Sequence, residues 1–385
     1  MRLFKQRQQF IFPWRQGQSF DLLIDGDEFF DAMLDSIQGA QSFIYLEMYL
    51  FQSGHIANRF IDALIAASIR GVGVRMLLDD YGARGLSGPD RQRLQAANVT
   101  LCFYNPLHYG RLRKNLFRDH RKLLLVDSRI AYTGGAGITD EFDSNINPRH
   151  YWHEAMIRIS GDCVLDWKTL FEANWLRCGG EMLQLPVHTR YLVTPGQSGR
   201  VVEGRSITHS EVIRSFVTRI RGARQRVWLA SAYFVPSRKI RRALLRQADA
   251  GIDVRLLLPG PNIDHAWARH MGQRYYERLL RHGVRIFEYQ PRFTHMKILL
   301  CDHWASIGSS NIDRWNFRWN LEANQEVDDR EFALVVQQQF EKDFTDCHEI
   351  VLQDWLKRSW WTRLKIKCWA AVVSVLSWFS FNRKG

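Results

Sequence analysis

Apolar positions along this chain follow two alternating periods. Stretches such as 59–70, RFIDALIAASIR, place apolar residues at helical spacing. Between such stretches lie short apolar or β-branched runs bounded by Gly, Asp and Pro, the pattern of buried strands. The whole series occurs twice, with a period of about 180 residues. GAQSFIYLEMY (39–49) is answered by GARQRVWLASAY (222–233), and GVGVRMLL (71–78) by GIDVRLLL (251–258). NVTLCFYNP (98–106) is answered by GVRIFEYQP (283–291), and DHRKLLLVD (119–127) by THMKILLCD (294–302). Each copy reads as helix, strand, helix, strand, helix, strand, strand. Alternation of this kind predicts an α/β unit, a mixed β-sheet flanked by helices. Two copies predict two tandem units about a pseudo-two-fold axis, with an active site between them. We place the units at 1–190 and 205–350, with a tail at 351–385. The turn-rich stretch 181–210 is expected to be the connection.

Composition narrows the class. Of the 385 residues, 46% are apolar and 24% charged, which excludes a disordered or fibrous chain. The formal charge of +13 calls for an anionic partner: nucleic acid, an acidic membrane surface or a phosphate-bearing substrate. Cys102, Cys163, Cys178, Cys301, Cys347 and Cys368 are scattered, which argues against a disulfide framework or a zinc site and for a reducing compartment. The basic, aromatic start lacks the apolar core of an export signal.

Two segments carry basic and apolar residues together. The first copy has about ten extra residues, within 107–119 (LHYGRLRKNLFRD), a composition suited to anionic lipid headgroups. Five of the fourteen Trp lie in the last 31 residues: Trp355, Trp360, Trp361, Trp369 and Trp378. The uncharged run there, CWAAVVSVLSWFSFN, is 15 residues long. A spanning helix needs about 20 apolar residues, so this run is expected to lie in the membrane interface.

The candidate chemistry sits in a doubled motif, His-x-Lys-x-x-x-x-Asp. It occurs as His120, Lys122, Asp127 and as His295, Lys297, Asp302. Residues two apart on a strand share a face, so each His and its Lys are expected to project together. Brought to one pocket, two imidazoles and two ammonium groups suit a phosphodiester. Imidazole attacks phosphorus or moves a proton near neutral pH, and ammonium neutralises phosphoryl oxygens. No metal or other cofactor is expected, because Lys is a poor ligand and no carboxylate cluster accompanies the histidines.

With these residues the chain resembles the phospholipase D superfamily, and within it the bacterial cardiolipin synthases of the B type. LLDDYGARGLS, FRDHRKLLLVDSRIAYTGG, ASAYFVP, HMKILLCDHWASIGSSNID and NLEAN carry the resemblance, which spans about residues 14–362. It implies a phosphohistidine intermediate, with His120 as nucleophile and His295 as general acid, or the reverse. Lys122 and Lys297 would hold phosphoryl oxygens. Asp127 and Asp302 enter the candidate catalytic set as motif members, and the resemblance gives them a structural role. Gly135, Ser309 and Asn311 would supply backbone or side-chain donors. Asn311 fits the family's Gly-x-x-Asn pattern, but its first-copy counterpart is Gly137. A histidine nucleophile needs its second nitrogen held, best by a carboxylate. The resemblance points to Glu154 in YWHEAMIRISG and Glu322 in NLEAN for that task.

The function so implied is phosphatidyl transfer to phosphatidylglycerol, from phosphatidylglycerol or possibly phosphatidylethanolamine. The protein would be peripheral, on the cytoplasmic face of a bacterial inner membrane. A hydrolase of phospholipid or nucleic acid is the alternative. The apolar insert and tail favour lipid, and no nucleic-acid partner is expected.

Overall fold

The computed structural model describes residues 10–108, 110, 114–183, 196–205, 211–313 and 316–360. Its strands are β1 (Arg15–Ile24), β2 (Phe43–Met48), β3 (Gly73–Asp79), β4 (Thr100–Tyr104), β5 (Arg118–Asp119), β6 (Lys122–Val126), β7 (Ile130–Gly134) and β8 (Ala155–Ser160), then β9 (Gln197–Gly204), β10 (Arg226–Ser231), β11 (Asp253–Pro259), β12 (Arg285–Tyr289), β13 (Lys297–Cys301), β14 (Trp304–Gly308), β15 (Asn320–Asp328) and β16 (Cys347–Glu349). They form one mixed sheet. From a central β1–β9 seam, one half runs outward β1, β8, β7, β6, β2, β3, β4. The other runs β9, β15, β14, β13, β10, β11, β12, with β16 added at the edge. The two orders correspond strand for strand, which is the predicted pseudo-two-fold relation.

Strands β2, β3 and β4 run parallel in one half and β10, β11 and β12 in the other, and their crossovers are helical, as parallel pairing requires. His55–Ile69 joins β2 to β3, and Arg238–Asp249 joins β10 to β11. Strands such as β2, β6 and β13 are buried along their whole length, because helices cover both faces of the sheet. Leu124 and Val126 pack with Phe30 and Phe60 of the helices Asp25–Gln38 and His55–Ile69. Leu123 and Leu125 face the other way, into a core shared by both halves. That core contains Trp167 and Phe171 of the helix Cys163–Arg177 and Phe332 and Val336 of Arg330–Thr345. Among the described residues, no helix is long and apolar enough to cross a membrane.

Three local expectations are corrected. The segment read as a connection contains β9, which pairs with β15 over seven residues at the centre of the sheet. The insert ends in β5, where Arg118 is buried beside Asp79 (3.3 Å) rather than offered to lipid. Trp355, counted with the tail, packs on Tyr276 at 4.9 Å between ring centroids and belongs to the core of the second half. Residues 361–385 lie outside the described residues.

The motif aspartates belong to turns. Asp127 (φ 53°) and Asp302 (φ 54°) adopt the left-handed conformation that a short polar side chain tolerates. Asp127 accepts from the backbone N–H groups of Gln41, Ser42 and Phe43, and Asp302 from those of Arg224, Gln225 and Arg226. Each carboxylate thus ties the hairpin to the start of the neighbouring strand. Burial opposes the charge of Asp302, but the three N–H groups outweigh it and hold the carboxyl below its ordinary value. Its contribution is therefore present above pH ~4 and lost as pH falls below it. Replacing Asp302 by Ala should cost about 1–2 kcal/mol in denaturant unfolding at pH 7, a figure discounted for partial exposure, and less at pH 3. The folded fraction should keep its specific activity.

Candidate active site

Each motif histidine sits just before its strand, not within it. Lys122 opens β6 and Lys297 opens β13, so His120 and His295 lie in the entering segments. Those segments pair across the molecule. Arg118 and Asp119 run parallel to Asn320 and Leu321 of the other half, and Thr294 bridges to His153. The His120 N–H donates to the carbonyl of Leu321 at 3.0 Å, and the His295 N–H to that of His153 at 2.7 Å. Leu321 and His153 immediately precede Glu322 and Glu154.

The side chains follow this exchange. His120 Nδ1 lies 3.0 Å from Oε1 and 3.2 Å from Oε2 of Glu322. His295 Nδ1 lies 2.7 Å from Oε2 of Glu154. Each half therefore supplies the carboxylate that orients the other half's histidine. With Nδ1–H donated to a carboxylate, Nε2 of each neutral ring is left for chemistry. Lys122 donates to the carbonyl of His120 at 2.7 Å, and Lys297 donates to that of His295. Lys297 also meets Glu154 Oε2 at 3.2 Å.

Lys122, Lys297 and His295 are buried and His120 is largely so, and this loss of water sets their protonation. It lowers both imidazoles from their ordinary value, His295 the more strongly, with the nearby lysines adding to the effect. Glu322 partly opposes this at His120. Burial brings the Lys122 ammonium down to about 7 and lowers Lys297 as well. It also raises Glu154, against the pull of Lys297.

Comparison with known proteins shows the family. Residues 33–175 and 216–344 match the family described as "Cardiolipin synthase, PLD-like domain". A cardiolipin synthase of Clostridium perfringens is 30% identical over 361 residues, covering 90% of this chain and 74% of that protein. The chain belongs to the cardiolipin synthase family of phospholipase D-like proteins. Cardiolipin synthase B of Salmonella typhimurium, also in this family, is 30% identical over 374 residues, covering 91% of this chain and 87% of that one. In fold, the phosphatidylserine synthase of Haemophilus influenzae superposes with a TM-score of 0.73 at 13% identity, over 94% of this chain and 95% of that one.

Within this family fold, the remaining candidates fall in unequal places. Ser309 donates to Glu322 Oε2 at 2.5 Å and accepts from the Ala323 N–H at 3.1 Å, so it steadies the carboxylate behind His120. Gly135 is its counterpart, and a Cβ there would meet Glu154 Oε2 at 2.0 Å. Asn311 is buried, and its amide has no partner among the described residues. At Gly137 a Cβ would meet Leu50 at 2.7 Å, so the first half has no room for an Asn. Asp127 and Asp302 lie at the far ends of β6 and β13 from the lysines and take no part in the pocket.

Sequence reasoning missed the aromatic walls. Tyr49 lies 4.9 Å from the His120 ring, and the Lys122 ammonium lies 5.3 Å above the Tyr49 ring. Around His295 stand Trp152 (5.1 Å), Phe293 (5.5 Å), Phe142 (5.9 Å) and Tyr233 (6.3 Å). A signal existed: Tyr49 and Tyr233 end the matching segments of the repeat, and Trp152 lies two residues before Glu154. Also missed was the buried cluster behind His295. There His153 contacts Asp25 at 2.8 Å and Asp343 at 3.1 Å, and Arg292 reaches Asp25 at 2.6 Å. Burial works against a charge on His153, but the two carboxylates outweigh it and raise the imidazole to about 9.

A lowered lysine carries its charge below the shifted value and loses it above. In the free enzyme, kcat/KM for a phosphodiester lipid should therefore fall as pH rises through about 7, where Lys122 deprotonates. Lys122→Arg, which keeps its charge at any pH, should be slower but should lack that alkaline limb. An unchanged limb in this variant would assign it to another group.

Proposed function

We propose that this chain is a cardiolipin synthase acting by phosphatidyl transfer. A phosphatidyl group passes from one phosphatidylglycerol to an active-site histidine, and glycerol leaves. The hydroxyl of a second phosphatidylglycerol then takes the group from the histidine. The observation that carries this reading is the pair of carboxylate-held imidazoles flanked by two buried lysines. One imidazole suffices for hydrolysis by activated water, whereas two with free Nε2 atoms suit a covalent double displacement. The ammonium groups neutralise the phosphoryl oxygens as charge builds in the transition state. Phosphatidylethanolamine offers the same phosphodiester and is the alternative donor.

Membrane association is part of the proposal. Exposed Tyr81, Phe117, Ile146 and Trp267 all lie in segments at the histidine end of the sheet, following β3, preceding β5, following β7 and following β11. Arg84 stacks under Tyr81 at 5.0 Å. An apolar rim with basic residues fits a peripheral contact with an anionic bilayer that delivers lipid to the pocket. The cytoplasmic face suits the free thiols among the described residues, Cys102, Cys163, Cys178, Cys301 and Cys347.

The test is lipid mass spectrometry of phosphatidylglycerol vesicles incubated with the purified protein or with its His120→Ala variant. Cardiolipin and free glycerol should accumulate with the wild type and not with the variant. Phosphatidic acid without cardiolipin, also after phosphatidylethanolamine is supplied, would make the protein a hydrolase.

A further inference from the structure

Behind His295 a buried cluster joins the two halves of the sheet, and its geometry does more than balance charge. We propose that His153 is a positioning residue of the pocket, an imidazolium latch that ties Asp25 of the first half to Asp343 of the second and so holds Glu154 and His295 in register. The latch serves the phosphatidyl-transfer reading above and rests on it for the reaction concerned.

Both ring nitrogens of His153 face carboxylates. Nδ1 lies 2.8 Å from Asp25 Oδ1, and Nε2 lies 3.1 Å from Asp343 Oδ1. A neutral imidazole has one N–H and serves one carboxylate; serving both takes the protonated ring. Arg292 supplies a second cation, with Nη2 2.6 Å from Asp25 Oδ2 and 3.3 Å from His153 Nδ1. Two cations and two carboxylates thus balance in a buried site. Two of the ion pairs cross between the halves in opposite directions, His153 to Asp343 and Arg292 to Asp25.

Main-chain bonds connect the latch to the pocket. The His153 N–H donates to the carbonyl of Phe293 at 2.8 Å, and the His153 carbonyl accepts from the His295 N–H at 2.7 Å. Asp25 closes on the next residue. Its N–H donates to the Glu154 carbonyl at 2.9 Å, and its Oδ1 accepts from the Glu154 N–H at 3.1 Å. The main-chain polar groups of His153 and Glu154 are therefore all committed, to the second half or to Asp25. The Glu154 side chain then reaches His295 Nδ1. Asp25 makes these bonds at φ 63°, a left-handed conformation that its surroundings must sustain.

The other carboxylate has no such support. Leu321, which precedes Glu322 as His153 precedes Glu154, carries no charge. The latch therefore acts on His295 and not on His120.

Burial opposes the charge on His153, and the bonds to Asp25 and Asp343 outweigh it, raising the ring to about 9. The other groups against the ring are Arg292 and the phenol of Tyr289, stacked at 5.0 Å between centroids. Gln339 donates to Asp343 Oδ1 at 2.7 Å. The latch is complete below the ordinary histidine value and opens as pH rises through about 9.

Asp343 lies on the helix Arg330–Thr345, outside the pocket, so Asp343→Asn opens the latch without touching a reacting group. On phosphatidylglycerol vesicles this variant should lose kcat on the order of ten- to a hundredfold with KM little changed, because a misplaced imidazole costs rate rather than affinity. In 15N-labelled full-length protein at pH 7, the His295 Nδ1–H resonance should move and that of His120 should stay. The His295 resonance should show an alkaline step near pH 9 in the wild type, and at lower pH in Asp343→Asn, where one carboxylate is gone. Lys122 and Lys297 have their partners elsewhere, so a step that follows Asp343 belongs to His153. His153→Gln should reproduce the loss of kcat and abolish the step. Wild-type kcat and an unmoved His295 resonance in folded Asp343→Asn, with only a lower melting temperature, would overturn the latch and make the cluster purely structural. Equal movement of both resonances would overturn its restriction to one half. An alkaline step that survives in His153→Gln would overturn the part given to the imidazolium. Absence of phosphatidylglycerol turnover by the wild type would count against the function instead, and the resonances would still decide the latch.

Discussion

The site depends on an exchange of backbone pairing between the two halves of the sheet. The segment carrying His120 lies along the start of β15, and the segment carrying His295 lies against His153. Two main-chain hydrogen bonds, one on each histidine N–H, fix the rings beside carboxylates from the opposite half. Neither half contains a complete histidine–carboxylate pair, so the pocket exists only when both are docked. The sheet enforces the docking. β9 and β1 join at the seam, and the helices Cys163–Arg177 and Arg330–Thr345 bury a common apolar core across it.

Buried charge beneath the two loops is satisfied in two ways. Under the His120 loop, Arg121 meets Glu47 at 2.7 Å and Asp119 at 3.3 Å, and the amide of Asn174 donates to both acids. Met296 stands in the place of Arg121 in the second half, and there the cluster of His153, Asp25, Asp343 and Arg292 takes over. Each network is a set of groups that would be costly if left unpaired. Their difference shows that the halves have diverged under the same backbone. Ser309 against Gly135 and Asn311 against Gly137 show the same divergence in the pocket itself.

Much of the architecture was legible because repetition exposes it. The two copies of strand, crossover helix and motif match segment by segment along the chain, and the motif spacing points to the chemistry. What escaped were elements whose sequences look like turns. β1 begins Arg15-Gln-Gly-Gln-Ser, and β9 contains Gln197-Ser-Gly-Arg; their polar side chains are satisfied inside the fold, as when Gln18 accepts from the Cys163 N–H at 2.8 Å. Glu154 and Glu322 could be named as candidates, but their exchange between halves could not, because no local pattern encodes which copy of a pseudo-symmetric pair a side chain reaches. The aromatic box around His295 is assembled from four separate segments and has no linear signature. Arg118, expected to be a headgroup contact, is instead buried, since composition does not reveal which basic residue of a loop finds an internal acid.

The exchanged pairing can be observed directly in the histidine Nδ1–H resonances of 15N-labelled protein at neutral pH. A ring donating to a buried carboxylate gives a protected, downfield proton. Glu154→Gln should shift or remove the His295 resonance and leave that of His120 in place, and Glu322→Gln should do the reverse. If instead Glu154→Gln perturbed His120 and Glu322→Gln perturbed His295, each half would carry its own pair, and the shared construction of the site would be wrong.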